Sequence, residues 1–117
     1  MMRRVLVIED GPFLQRALKD FLLASGYTPH VVSSRAESLG MIRSIEFWGI
    51  IMDYIDPGHV SAKDFIRMLK LSVKNKDTPV AVITGLPYLP ENLDVATVVT
   101  KPFDLGELIR LLDRARR

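Results

Sequence analysis

Five separated residues of this chain could share one reactive site: the pair Glu9-Asp10, then Asp53, Thr84 and Lys101. Three carboxylates, a hydroxyl and an amine suit a hard divalent cation beside a phosphoryl group, because such a cation takes oxygen ligands and phosphoryl transfer needs positioning and charge neutralisation. Adjacent carboxylates at Glu9-Asp10 repel, and a cation relieves that repulsion; the competing reading makes Asp10 a helix N-cap ahead of Pro12. Asp53 closes an apolar run and could be a metal ligand, a nucleophile forming an acyl phosphate, or both. Asp56 could compete for that role, although an Asp beside Pro57-Gly58 is ordinary turn chemistry. Thr84 and Lys101 together can hold the oxygens of a phosphoryl group, Gly85 leaves room for its approach, and a cis Lys101-Pro102 bond would aim the lysine.

Each of these residues ends a run rich in Val and Ile: Val5 to Ile8, Ile50 to Met52, Val80 to Ile83, and Val98-Val99. Short β-branched runs of this kind read as buried parallel strands, and Val31-Val32 marks one more. Helical spacing separates them. Pro12 suits a first turn, the apolar set Phe13, Leu14, Ala17, Leu18, Phe21 and Leu22 follows helical spacing, and Gly26 stops that helix. Ser34 with Glu37, Ser61 with Asp64, and Asp104 with Glu107 mark three further helix starts. Their apolar faces are Leu39 and Ile42, with Ile45 a further candidate, then Phe65, Met68 and Leu69, then Leu105, Leu108, Ile109 and Leu112. Between Gly85 and Asp94, Pro87 and Pro90 leave space only for a short or irregular fourth helix. Alternating elements predict a doubly wound α/β fold with a five-stranded parallel sheet in the flavodoxin-like order 2-1-3-4-5. Ligands of such sheets bind outside the carboxyl ends of the strands, where the five residues fall.

At 117 residues and 48% hydrophobic, the chain reads as one domain, 1–117, with a real core. A net charge of +2 without a long basic run argues against direct nucleic-acid binding; Arg114, Arg116 and Arg117 suit a helix C-terminus. Without cysteine there is no disulfide or thiol chemistry. No apolar stretch reaches spanning length, and Met1-Met2-Arg3-Arg4 leads straight into a strand without a secretory pattern, so a cytoplasmic protein off the membrane is expected. His30 and His59 carry little weight without a second ligand of their type nearby, and Trp48 reads as partly buried packing.

In the order Val5-Leu6-Val7-Ile8-Glu9-Asp10, Met52-Asp53-Tyr54-Ile55-Asp56-Pro57-Gly58, Val82-Ile83-Thr84-Gly85 and Lys101-Pro102-Phe103, the chain resembles the receiver domain of two-component response regulators over essentially its whole length. The resemblance implies that Asp53 accepts a phosphoryl group from a sensor histidine kinase or histidine phosphotransfer protein. It implies Mg²⁺ held by Asp10, Asp53 and the Ile55 backbone carbonyl, with Glu9 acting through metal-bound water. Thr84 would hydrogen-bond the phosphoryl group and Lys101 would pair with it. The phosphorylated state would shift an equilibrium between two conformations.

The chain departs from that family where the signal would leave. Val98 stands where the family carries an aromatic residue that reports on the threonine, and the spacing from Thr84 to Lys101 is short. Tyr88 is a candidate substitute, against the plainer reading of a solvent-facing loop residue. Ile55 and Leu86, which in the family flank the path of attacking water, are apolar here, so slow self-dephosphorylation is expected. The chain ends one helix after Lys101, so a stand-alone receiver would act on an unknown downstream protein by contact; a piece of a larger regulator would read the same. Leu111, off the main stripe of the last helix, offers a face for a homodimer or a partner. Two rivals stand beside this reading: a binding module that signals without phosphorylation, and a small-molecule phosphatase.

Overall fold

The computed structural model describes residues 2–56 and 58–116. Met1, Pro57 of the turn and Arg117 of the basic tail lie outside the described residues. Five strands alternate with four helices: β1 (Arg4–Ile8), α1 (Pro12–Ala24), β2 (Thr28–Val32), α2 (Arg35–Ser44), β3 (Gly49–Asp53), α3 (Ala62–Lys70), β4 (Val80–Thr84), β5 (Thr97–Thr100) and α4 (Leu105–Arg116). All strand pairs are parallel and the order is β2-β1-β3-β4-β5. This is the sheet expected from the alternation of elements.

Alternation along the strands divides the core. Leu6, Ile8, Ile50, Met52, Val80 and Val82 face Ile42 of α2 and Phe65, Ile66 and Leu69 of α3. Val5, Val7, Ile51, Ala81 and Ile83 face Leu18 and Leu22 of α1 and Leu108 and Leu112 of α4. Successive strand residues point to opposite faces, so a sheet covered on both sides needs unbroken apolar runs.

The helix starts follow the sequence signals. Ser34 and Ser61 accept hydrogen bonds from the amides of Glu37 and Asp64, and Asp104 accepts one from the amide of Glu107. Pro12 begins α1, and Gly26 takes φ +87° just after it, a conformation that favours glycine. Asp10 does not cap α1: the N-cap is Gly11 and no side chain caps there. Some details differ from expectation. Phe13 and Ala17 of the expected apolar set of α1 are exposed, because the face that meets the sheet carries Leu18 and Leu22; Met68 of α3 is exposed as well, and Leu111 is half-buried.

No helix forms between β4 and β5; residues 85–96 run as bends and irregular backbone. Of the short or irregular fourth helix expected there, the chain takes the irregular alternative, without a helical turn. Proline at 87 and 90 removes two amide donors and biases the residues before them away from helical backbone, which disfavours a helix there. The segment is instead tacked down by Leu89, Leu93 and Val95 against the core and by the Ala96 amide donating to the Val80 carbonyl. No helix among the described residues is long and apolar enough to cross a membrane.

Candidate functional site

Strand register brings the five residues together. Ile8 lies opposite Met52, so Glu9 and Asp53 leave neighbouring strands at one level. Asp53 pairs with Ile83, which puts Thr84 one residue further along the next strand. Thr84 pairs with Thr100, and the Lys101 amide donates to the Thr84 carbonyl. Oxygen atoms from Glu9, Asp10 and Asp53 all lie within 4.8 Å of one another. Lys101 Nζ reaches across β4 to within 3.6 Å of Asp53 Oδ1, an ion pair rather than a close hydrogen bond.

Glu9 is buried, 5% exposed. Its Oε2 accepts a hydrogen bond from the Gly11 amide, while its buried Oε1 has no hydrogen-bond partner among the described residues. A Cβ at Gly11 would come within 3.3 Å of that Oε2, so glycine permits the close approach. Burial raises the Glu9 pKa, and the negative charge of Asp53 adds to the rise. Burial also raises the Asp53 pKa, opposed by Lys101 and assisted by Asp10. Three carboxylates face one ammonium. The excess negative charge, the orphaned Glu9 oxygen and an all-oxygen donor set fit a hard divalent cation such as Mg²⁺. Asp10 is exposed and, not being used as a cap, is available to the cluster.

Thr84 is buried, and its Oγ1 accepts from the Leu86 amide at 3.0 Å. That bond uses a lone pair and leaves the hydroxyl proton to donate elsewhere. A Cβ at Gly85 would meet nothing within 4 Å, so the space beside Thr84 is open. The Lys101-Pro102 bond is cis. Ile55 and Leu86 sit at the rim with 65% and 40% of their surfaces exposed. Tyr88 and Val98 are also exposed, so neither turns inward beside Thr84. His59 is exposed; His30 packs edge-on against Phe47, and neither joins the cluster.

Asp56 is not the solvated turn residue that its neighbours suggested. Its side chain is 2% exposed and lies 3.6 Å from the Nε of Arg35, whose side chain is 5% exposed. Opposite charges separated by twenty residues of chain leave no periodic signal. The one available hint was a pair of unlike charges at the mouths of two strands that the fold places close together.

The neighbours with known structures share this fold. A sensor protein from Polaromonas sp. JS666 is 27% identical, with 97% of this chain and 94% of that one covered at a TM-score of 0.80. The receiver domain of the sensor histidine kinase PA1611 from Pseudomonas aeruginosa PAO1, described with magnesium in its active-site cleft, is 23% identical over 97% of both chains at 0.85. The chemotaxis response regulator CheY4 of Vibrio cholerae is 21% identical over 98% and 99% at 0.85. No family model matches the sequence, and no curated protein matches it. The fold is that of response-regulator receiver domains, as the resemblance implied, over nearly the whole chain.

Proposed function

We propose that this chain is a receiver, a signalling switch phosphorylated on Asp53 by a sensor histidine kinase or a histidine phosphotransfer protein. The observation that carries this reading is the meeting of the Glu9, Asp10 and Asp53 carboxylates with the Lys101 ammonium at one end of the sheet. The magnesium described in the PA1611 receiver supports the same cation here, held by Asp10, Asp53 and the Ile55 carbonyl, with Glu9 beside them. Bound Mg²⁺ would neutralise charge on the carboxylates and on the incoming phosphoryl group.

The residues of this chain divide the remaining work. An ionised Asp53 oxygen attacks phosphorus as the P–N bond to the donor imidazole breaks, and that electron pair returns to the ring nitrogen. Lys101 exchanges its ion pair with Asp53 for one with the phosphoryl oxygens. Thr84 donates its free hydroxyl proton to a phosphoryl oxygen. Ile55 and Leu86 offer no hydrogen bond to an attacking water, which favours a long-lived acyl phosphate. The output is a contact with a downstream protein, within a single domain of cytoplasmic setting.

A second reading, a receiver-like module that works without phosphorylation, is favoured by the helix-free crossover and by Val98. Beryllofluoride, a phosphoryl mimic, separates the two. Its binding to the wild type in the presence of Mg²⁺, seen by fluorine NMR and lost in Asp53→Ala, supports the receiver. Failure to bind at any Mg²⁺ concentration favours the phosphorylation-independent module.

A further inference from the structure

We infer that Arg35 is a positioning residue for the phosphoacceptor loop, fixing from inside the protein the backbone that carries Asp53 and Ile55; this rests on the receiver reading above. Arg35 is the first residue of α2, yet its guanidinium turns inward. Nη1 donates to the Asp53 carbonyl at 3.0 Å and to the Tyr54 carbonyl at 3.3 Å, and Nη2 also donates to Tyr54 at 3.3 Å. Nε donates to the Val60 carbonyl at 2.8 Å. One rigid fork therefore holds both limbs of the loop, before and after Ile55. The Asp56 carboxylate lies against the same guanidinium and accepts from the Arg35 amide at 3.2 Å, at the positive end of α2.

Stability alone does not account for this pair. Burying a guanidinium and a carboxylate costs desolvation that an apolar pair of similar volume avoids, and such replacements are often neutral or stabilising. Asp56 Oδ1 is moreover buried without a hydrogen-bond partner among the described residues. An apolar pair, however, cannot hold carbonyl oxygens at fixed points, because only donors do so. The held carbonyls belong to the acceptor residue and to the residue before Ile55, whose own carbonyl is the proposed metal ligand. Burial lowers the Arg35 pKa, against the pull of Asp56 and Asp53.

The double variant Arg35→Met/Asp56→Leu isolates positioning from packing, since it removes both buried charges together. Thermal melts establish that it folds; calorimetry and amide NMR titration give Mg²⁺ affinity; intact mass follows phosphorylation by acetyl phosphate. The expected result is a folded protein whose Mg²⁺ Kd rises at least about tenfold, with phosphorylation slowed in proportion at low Mg²⁺. A folded double variant with wild-type Mg²⁺ affinity overturns the inference. Should the double variant not fold, Arg35→Lys decides: its ammonium cannot span the three carbonyls, so a severalfold loss of Mg²⁺ affinity supports positioning and unchanged affinity overturns it. A wild type that binds no Mg²⁺ and takes no phosphoryl group overturns the receiver reading itself, whatever the variants do.

Discussion

The loop after β3 and the crossover after β4 leave adjacent strands at the same level of the sheet, yet they are held in opposite ways. The first is tied to α2 by a buried guanidinium that reaches three carbonyls and a carboxylate. The second has no helix and is held by three half-buried side chains and by contacts at the surface. These are the Tyr54 hydroxyl donating to Glu91 at 2.6 Å and the Lys70–Asp94 ion pair at 3.3 Å. Polar groups out of water are strongly directional, whereas exposed ones are screened and weak. The side of the site that carries Asp53 is thereby fixed, and the crossover side is left loosely tethered. The two are joined at Tyr54, whose carbonyl is held by Arg35 and whose hydroxyl holds Glu91.

The largest effect should come from cutting the clamp on one side only. Arg35→Met leaves Asp56 buried and uncompensated, and should cost about 3–5 kcal/mol in denaturant unfolding. A loss below about 1 kcal/mol would mean that the loop does not depend on the buried pair.

A smaller effect concerns protons and metal at the clamped side. Burial raises the pKa of both Glu9 and Asp53 in the folded protein. The folded state therefore favours their protonated forms, a contribution present at low pH that is lost as pH rises through the raised values. In metal-free buffer near neutrality these carboxylates oppose folding, and bound Mg²⁺ would relieve them. The Mg²⁺-induced rise in melting temperature should thus be largest near neutral pH. It should shrink as acid protonates the cluster, each displaced proton weakening Mg²⁺ by up to about 1.4 kcal/mol per pH unit. Greater stabilisation by Mg²⁺ at acid pH would contradict the cluster as its site.

Ile55 and Leu86 stand on the two sides of the comparison, one on the clamped loop and one at the start of the crossover. Replacing both by Asn and Gln should speed loss of the phosphoryl group severalfold, short of the roughly 10²-fold that a positioned general base supplies. An unchanged decay rate, followed by intact mass, would remove their proposed part in excluding water. The smallest effect belongs to the crossover itself. Glu91→Ala removes one exposed hydrogen bond and should change stability by less than about 1 kcal/mol. A loss as large as that of Arg35→Met would erase the contrast between the two regions.

The strands, helices and five polar residues were legible because each rests on a local signal. Val5 to Ile8 reads as a buried strand whatever lies elsewhere, and Glu9-Asp10 must then sit at its end. Ser34 and Ser61 mark helix starts through bonds to amides three residues on. The Arg35–Asp56 pair was not legible, since Ser34 explained the helix start and Pro57-Gly58 explained the aspartate. The buried Asn75 was missed for the same reason. Its side chain accepts from the Phe47 amide and donates to the Ile42 and Ile45 carbonyls, closing the end of the sheet opposite the site. Contacts of this kind exist only after the chain has folded. The crossover lay between these cases: Pro87 and Pro90 signalled a weakened helix, whereas the packing of Leu89, Leu93 and Val95 against the core had no local signal.

The most direct measurement is intact-mass spectrometry after incubation with Mg²⁺ and acetyl phosphate, with Asp53→Ala run beside the wild type. The expected result is one added phosphoryl group on the wild type, absent without Mg²⁺ and absent in Asp53→Ala. An equal adduct on Asp53→Ala, or no adduct on the wild type at any donor concentration, would contradict Asp53 as the phosphoacceptor.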